Sequence, residues 1–183
     1  MEDSADDLWV FGYGSLMWRP GFPYVERRLA HLYGYHRSLC VLSHVHRGTP
    51  ENPGLVLGLD RGGRCHGVAF RVAADEAGAT MHYLREREQV TAVYLERHVN
   101  VRLDDERAVT AVTYVADRKH GQYAGKLRFD EVLRLVRQGQ GVSGRNPDYV
   151  RSTHEHLLTM GIVDPLLERI MQSLDGKGGI QEA

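Results

Sequence analysis

The sequence contains little of what would connect it to a membrane, a nucleic acid or an oxidising compartment. Its two cysteines, Cys40 and Cys65, have no spacing typical of a metal or redox site. A fold that does not depend on disulfides suits a reducing, cytoplasmic location. The formal net charge is −1, so the basic excess of a nucleic-acid-binding surface is missing. No apolar run approaches the length of a membrane span, and residues 1–7 are acidic where a signal peptide is basic.

The length of the chain sets the expected domain organisation. A chain of 183 residues can bury a full hydrophobic core without disulfides or metals. No internal repeat, linker or low-complexity segment divides it. We therefore predict one domain over 1–183, with a frayed acidic N-terminus and a frayed glycine-containing tail after Gly176. Nothing in the sequence indicates the oligomeric state.

Short segments in which apolar and polar residues alternate predict strands. Arg61–Arg64, with its two glycines, predicts a hairpin turn between two of them. Short strands joined by tight turns favour an antiparallel or barrel-like sheet over repeated βαβ units. The predicted strands are Leu8–Tyr13, Leu32–Leu42, Gly54–Asp60, Cys65–Val72, Tyr94–Leu103 and Ala108–Ala116.

Four further segments have helical spacing or helix-start signals. Asn146 is expected to cap one helix, because proline and an acidic residue follow it. Asp164-Pro165 repeats that pattern before the last helix. The predicted helices are Asp75–Glu88, Asp130–Gln138, a helix beginning at Asn146, and Leu166–Leu174, so the fold class is α+β, with a small curved sheet that carries helices.

The stretch after the first strand resembles a dinucleotide-binding fingerprint but departs from it. Met17 stands where the third glycine would fall, and Pro20 interrupts any following helix, so a Rossmann site is excluded. Gly12 and Gly14 would let the backbone approach a ligand and present N–H groups to an anion. The alternative is a tight structural turn, with Trp18 packed behind it.

Glu88 is the strongest candidate for a catalytic carboxylate in the sequence. Ala77, Met81 and Leu84 form an apolar stripe on a helix, and the next position on that stripe is Glu88, whereas Glu86 falls on another face. A carboxylate on a buried stripe near a helix C-terminus should have a raised pKa, as a general acid/base requires. The alternative is a structural ion pair with one of the neighbouring arginines: Arg85, Arg87 or Arg97.

The ten histidines do not assemble a recognisable metal motif. His44 and His46 would share one face of a strand, but no third ligand is evident, and His154 with His156 departs from the zinc-protease pattern. We therefore expect no metal and no cofactor. Ser15 lacks the nucleophile elbow of hydrolases.

Several blocks, in order along almost the whole chain, resemble the ChaC-like γ-glutamylcyclotransferases. The first is nearly the family signature, with Met17 where isoleucine is frequent. After Glu88 the chain departs from some members, because Gln89-Val90-Thr91 replaces a glycine-containing loop. The blocks are Trp9–Trp18; His46–Pro50 with Pro53-Gly54; Tyr83-Leu84 with Arg87-Glu88; Tyr123–Gly125; and Ser143–Asn146.

The resemblance implies a small mixed β-barrel with surrounding helices and a glutathione-cleaving activity. The products would be 5-oxoproline and cysteinylglycine, and Glu88 would be the catalytic acid/base. The alternatives are a cyclotransferase for other γ-glutamyl compounds, and a non-catalytic module that binds anionic metabolites. The expected substrate-binding residues are Val10, Phe11, Gly12, Tyr13, Gly14, Ser15, Leu16 and, in a later helix, Tyr149.

Overall fold

The structure, a computed structural model, describes residues 7–176 and comprises two compact units. The first unit takes the chain up to Ser38 together with Leu57–Tyr123. The second takes Leu39–Val56 together with the chain from Ala124 onward. The prediction of one domain remains a prediction. The expected frayed ends, residues 1–6 and 177–183, lie outside the described residues.

The first unit is built on a closed barrel of five strands in the order β1-β3-β2-β4-β5. The pairs β1–β3, β2–β4 and β4–β5 are antiparallel, and the parallel pairing of β1 with β5 closes the barrel. This confirms the expected mixed barrel and the α+β class. The strands are β1 Leu8–Gly12, β2 Glu26–Ser43, β3 Gly54–Val72, β4 Tyr94–Leu103 and β5 Ala108–Ala116.

The short strand β1 is buried because it is paired on both sides. Val10 and Phe11 have no exposed surface, and Thr113 of β5 donates its hydroxyl to the Phe11 carbonyl at 3.0 Å. Full burial of a side chain such as that of Phe11 contributes about 1.5–3 kcal/mol. The segment that follows β1 therefore starts from a fixed point inside the barrel wall.

The hairpin predicted at Arg61–Arg64 is wrong. These residues lie inside the single strand β3, which neighbours the long strand β2. Gly62 and Gly63 do adopt positive φ, but His36 of β2 lies beside them, with its Nδ1 2.9 Å from the Gly62 carbonyl oxygen. Glycines with positive φ inside a strand mark a local irregularity as readily as a chain reversal, and sequence alone does not separate the two.

Within residues 7–176 four helices form, close to the predicted bounds. They are α1 Ala77–Glu88, α2 Phe129–Gln138, α3 Asn146–Thr159 and α4 Pro165–Leu174, and a 3₁₀ turn, Ala74–Glu76, precedes α1. In the second unit, α3 packs against α2 and α4. A two-residue strand pair, β6 Gln140–Gly141 and β7 Gly144–Arg145, leads into α3.

The two predicted helix caps have different outcomes. Asp164 caps α4 as expected, since its carboxylate accepts from the N–H groups of Leu166 and Leu167. Asn146 does not cap α3, which begins without a side-chain cap. The Asn146 side chain is instead buried and bonds to both polar groups of the Leu55 backbone, at 2.7 and 2.8 Å. An amide can donate and accept at once, so it satisfies an N–H and a carbonyl that would otherwise be buried without partners.

Candidate active site

The chain leaves β1 through a tight turn that fixes the glycine loop. Ser15–Met17 form a 3₁₀ turn in which the Met17 N–H donates to the Gly14 carbonyl at 2.9 Å. A Cβ added at Gly12 would lie 3.0 Å from the Leu16 Cβ, so a side chain at position 12 would push the turn away from β1 by a few tenths of an ångström.

The predicted binding stretch divides into a buried part and an accessible part. Val10 and Phe11 are fully buried, and Tyr13 and Leu16 are nearly so. Gly14 is half-buried and Ser15 is exposed. Direct contact with a ligand is therefore available at Gly14 and Ser15, whereas the buried members fix the position of the loop. The assignment of the stretch to a substrate remains a prediction.

Two further contacts fix the loop on β3. The Arg37 guanidinium donates to the Tyr13 carbonyl and to the His66 carbonyl, both at 2.7 Å. Next to His66, a Cβ added at Gly67 would lie only 2.4 Å from the Gly12 carbonyl oxygen. The glycine loop is thus held against β3 by one arginine and by the absence of a side chain at position 67.

The helix α1 presents Glu88 as its stripe predicts. Of the predicted stripe, Leu84 is buried and Ala77 and Met81 are half-buried, and Thr80 is buried beside them. Glu88 stands one turn beyond Leu84, with 17% of its side chain exposed. Glu86 is 69% exposed and contacts His82 at 3.2 Å. The sequence distinguished these two carboxylates correctly, because helical periodicity decides which of them faces away from solvent.

Arg87 connects the end of α1 to the glycine loop. Its Nη2 donates to the Ser15 Oγ at 2.8 Å. Its Nη1 donates to the Arg19 carbonyl at 2.7 Å, to the Pro20 carbonyl at 3.3 Å and to the Tyr83 hydroxyl at 3.0 Å. The planar guanidinium, with its five donors, spans acceptors that no other side chain could join at once.

The loop beyond these carbonyls also packs directly on α1. Gly21 has a φ of +74°, and a Cβ added there would lie 2.1 Å from the Tyr83 hydroxyl oxygen. Phe22 lies edge-on to the Tyr83 ring, with centroids 6.3 Å apart, and edge-on to Phe70 of β3 at 5.6 Å. The aromatic contacts and the missing side chain at position 21 set the distance between the loop and the helix.

Glu88 lies beside this junction in a desolvated position. Its Oε1 is 3.5 Å from the Arg87 Nε. Burial raises the pKa of the Glu88 carboxyl above its ordinary value, and the Arg87 guanidinium offsets only part of that rise. Of the other arginines considered as structural partners, Arg85 forms a bidentate ion pair with Glu96 of β4 at 2.9 and 3.0 Å, and Arg97 donates to the Glu96 carbonyl.

This arrangement suits proton transfer by the Glu88 carboxyl. A carboxyl whose pKa is raised can both accept and release a proton. The accessible glycine loop is close to it, because the Arg87 guanidinium contacts both Glu88 and Ser15. Tyr114 of β5 is buried and donates to Glu96 at 3.0 Å. The negative charge of Glu88 also contributes to raising the pKa of the Tyr114 hydroxyl. Burial and the nearby carboxylates raise the pKa of the Tyr114 hydroxyl, so it remains protonated.

Tyr149 belongs to the second unit, on α3. The Arg47 guanidinium lies 5.6 Å from the centre of its ring, and the Arg47 Nη1 donates to the Arg145 carbonyl. In the same unit His46 Nδ1 lies 2.8 Å from the Ser143 Oγ. The expected role of Tyr149 towards the substrate remains a prediction.

Residues 7–176 contain neither a cluster of metal-ligating side chains nor a membrane-spanning helix. Among residues 7–176 no three histidine, cysteine or carboxylate side chains cluster as metal ligands do. In the same range no helix combines the length and the apolarity needed to cross a membrane.

Apart from their place in a block that resembles the family, the sequence predicted Arg87 only as a possible ion-pair partner of Glu88 and gave Tyr83 no role. The signal that could have found them is their spacing. Positions 83 and 87 are one helical turn apart, so both lie on the face beside the Glu88 stripe. Their loop partners come from residues more than sixty positions earlier in the chain, which a local pattern does not reveal.

Comparisons with known proteins agree on one family. Residues 8–176 match the family model described as ChaC-like protein. The chain is 34% identical over 167 residues to the glutathione-specific γ-glutamylcyclotransferase of Escherichia coli (strain K12), covering 91% of this chain and 72% of that protein. It is 33% identical to the human glutathione-specific γ-glutamylcyclotransferase 1, covering 78% of this chain and 66% of the human protein.

The fold also matches a solved structure. A crystal structure of a γ-glutamyl cyclotransferase specific to glutathione from yeast superimposes with a TM-score of 0.83 at 23% identity. The superposition covers 93% of this chain and 96% of the yeast chain.

Proposed function

The chain belongs to the ChaC-like family, and from that membership we propose that it is a γ-glutamylcyclotransferase that cleaves glutathione. The relatives named above are glutathione-specific γ-glutamylcyclotransferases. The observation that most supports catalysis is the position of the desolvated Glu88 carboxylate beside Arg87, which also bonds to Ser15 of the glycine loop.

The substrate provides its own nucleophile in this reaction. The α-amine of the γ-glutamyl group attacks the γ-carbonyl carbon, a five-membered ring closes, and the bond to the cysteine nitrogen breaks. The products are 5-oxoproline and cysteinylglycine. The protein needs no cofactor for this chemistry, because its task is to fold the substrate into the reactive shape and to move a proton.

Glu88 moves that proton. The α-ammonium must lose a proton before it can attack, and its solution pKa is about 8. The Glu88 carboxylate accepts this proton and then delivers it to the departing cysteinyl nitrogen, so one group acts first as base and then as acid. The second proton, which the attacking nitrogen loses when it becomes the lactam N–H, passes to the released amine or to solvent. The raised pKa of Glu88 narrows the gap to the pKa of the α-ammonium, so the first transfer is less unfavourable, while donation to the more basic departing amine remains favourable.

The glycine loop binds the charged end of the substrate. The first N–H groups of a helical turn have no partner within the turn, and the 3₁₀ turn Ser15–Met17 begins at the exposed Ser15. These N–H groups would hold the substrate α-carboxylate or the oxyanion that develops on the γ-carbonyl. A donor of this kind is worth about 3–4 kcal/mol in comparable sites.

The decisive assay supplies the purified protein with glutathione and, separately, with γ-glutamyl-alanine, and measures 5-oxoproline by mass spectrometry. We expect release from glutathione with cysteinylglycine in equal amount. Release from γ-glutamyl-alanine alone would assign the protein to a cyclotransferase of different specificity. No release from either, with glutathione still bound, would favour a binding module and overturn the proposal.

We also propose a cytoplasmic location. The chain has two cysteines, and both are buried among apolar residues of the strands. That usage suits a protein that does not rely on disulfides, and disulfides are rare in a reducing compartment.

A further inference from the structure

The contacts of Arg87 extend beyond what an ordinary surface ion pair would explain. Its side chain is 22% exposed, and it donates to one hydroxyl and two carbonyls of the segment that follows β1. Through Nε it also lies against the Glu88 carboxylate. A single guanidinium therefore touches both parts of the proposed active site.

We propose that Arg87 is a positioning residue that sets the distance between the glycine loop and the Glu88 carboxylate; this inference rests on the proposed cyclotransferase function. The loop binds one end of the γ-glutamyl group and Glu88 moves a proton on the same group. The separation of the two must therefore match the substrate to within a fraction of an ångström.

The geometry requires an arginine rather than any cation. Ser15 Oγ is bonded through Nη2, the Arg19 and Pro20 carbonyls through Nη1, and Glu88 is approached by Nε. A lysine ammonium is a single point with three donors, so it could neutralise Glu88 or reach the loop but could not fix both.

The contact between Arg87 and Glu88 should also affect the pH dependence of the activity. The positive charge of Arg87 lowers the pKa of the Glu88 carboxyl, against the larger rise caused by burial. Removing the charge should therefore raise that pKa further. Because Glu88 must be deprotonated to accept the proton of the α-ammonium, the acid limb of kcat/KM should move to higher pH.

A purely structural role predicts a different outcome. If Arg87 only fastened the loop to α1, its loss would lower thermal stability and leave the pH profile of the remaining activity in place. Tyr83 and Phe22 already pack the loop on the helix without Arg87, so we expect the variants to fold.

The test compares Arg87→Gln, Arg87→Lys and Ser15→Ala with the unmodified protein, using 5-oxoproline release from glutathione over a range of pH. Arg97→Gln is the matched control, because Arg97 is an exposed arginine of β4 and its loss changes the net charge equally. We expect Arg87→Gln to lower kcat/KM roughly 100-fold, the size of effect expected when reacting groups are misplaced by about 1 Å, and to shift the acid limb upward.

The lysine and serine variants separate charge from geometry. Arg87→Lys should keep the acid limb in place yet recover little of kcat/KM. Lysine restores the positive charge, but it cannot bond to the glycine loop and approach Glu88 at the same time. Ser15→Ala should weaken activity, and its effect should not add to that of Arg87→Gln, because both changes break the same contact.

Each outcome decides the inference separately from the proposed function. Normal turnover and a normal pH profile in Arg87→Gln, with an active unmodified protein, would overturn the role of Arg87 alone. Full recovery of activity in Arg87→Lys would also overturn it, because a positive charge that does not connect the loop to Glu88 would then suffice. An inactive unmodified protein would instead refute the proposed function.

Discussion

Glu88→Gln tests the site most directly because it should change activity and stability in opposite directions. The substitution keeps the shape of the side chain and removes its ability to carry a proton. General acid–base catalysis by one residue is commonly worth about 10²–10⁴-fold. Because Glu88 acts as both base and acid in the proposed mechanism, we expect a loss of kcat towards the upper end of that range.

The stability of the same variant should increase at neutral pH. Burial raises the folded-state pKa of Glu88, so folding favours its protonated form. The group therefore causes no loss of stability below its unfolded pKa, and the penalty develops as the pH rises through the folded-state value. Glutamine cannot ionise and avoids this penalty. Relief of such strain at a functional site commonly yields about 0.5–2 kcal/mol.

Thermal unfolding at several pH values, together with 5-oxoproline release, provides the measurement. For a chain of this length each kcal/mol corresponds to a rise in Tm of about 2–4 °C. The rise should be present at neutral pH and disappear at acid pH, where Glu88 is protonated in both states. Glu86→Gln is the matched control: that side chain is 69% exposed, so both activity and stability should remain near those of the unmodified protein. Retained turnover in Glu88→Gln, or a Tm difference independent of pH, would refute the reasoning.

Two further predictions concern buried polar contacts. Asn146→Ala should destabilise the protein by about 1–3 kcal/mol for each of the two Leu55 backbone groups it leaves buried without partners; an unchanged midpoint in urea denaturation would contradict this. Tyr123→Phe removes a hydroxyl that donates to the buried Asp60 at 2.6 Å, a bond to a charged group worth about 1.5–3 kcal/mol. Burial raises the pKa of Asp60, but the hydrogen bonds from Tyr123 and Arg118 outweigh it and lower that pKa. The stability from this bond is therefore present at neutral pH and lost as the pH falls, and urea midpoints at both pH values would show whether the difference between the two proteins shrinks in acid.

Local chemistry made much of the molecule predictable. The strands and helices follow from alternation and helical spacing, which depend only on neighbouring residues. The cap at Asp164 was found for the same reason. The stripe of α1 predicted that Glu88 would be buried and Glu86 exposed, because which face a residue occupies follows from its position along a helix.

Where a sequence pattern is compatible with two local structures, the sequence alone does not distinguish them. The glycines at 62 and 63 suit a hairpin turn and also an irregular strand, and the neighbouring strand β2 decided for the second. Asn146 is a typical helix-capping residue, but its side chain instead accepts from the Leu55 N–H and donates to the Leu55 carbonyl. Both outcomes depend on groups far away in the chain.

The α+β class, the candidate carboxylate and the glycine loop follow from the sequence alone, because each is a property of a short segment. That these pieces adjoin follows only from the folded structure. Closure of the barrel places β1 next to β3 and β5, and α1 packs its end on the loop that follows β1. The bridge from Ser15 through Arg87 to Glu88 joins residues more than seventy positions apart, and only folding brings such groups into contact, because hydrogen bonds and desolvation act over a few ångströms.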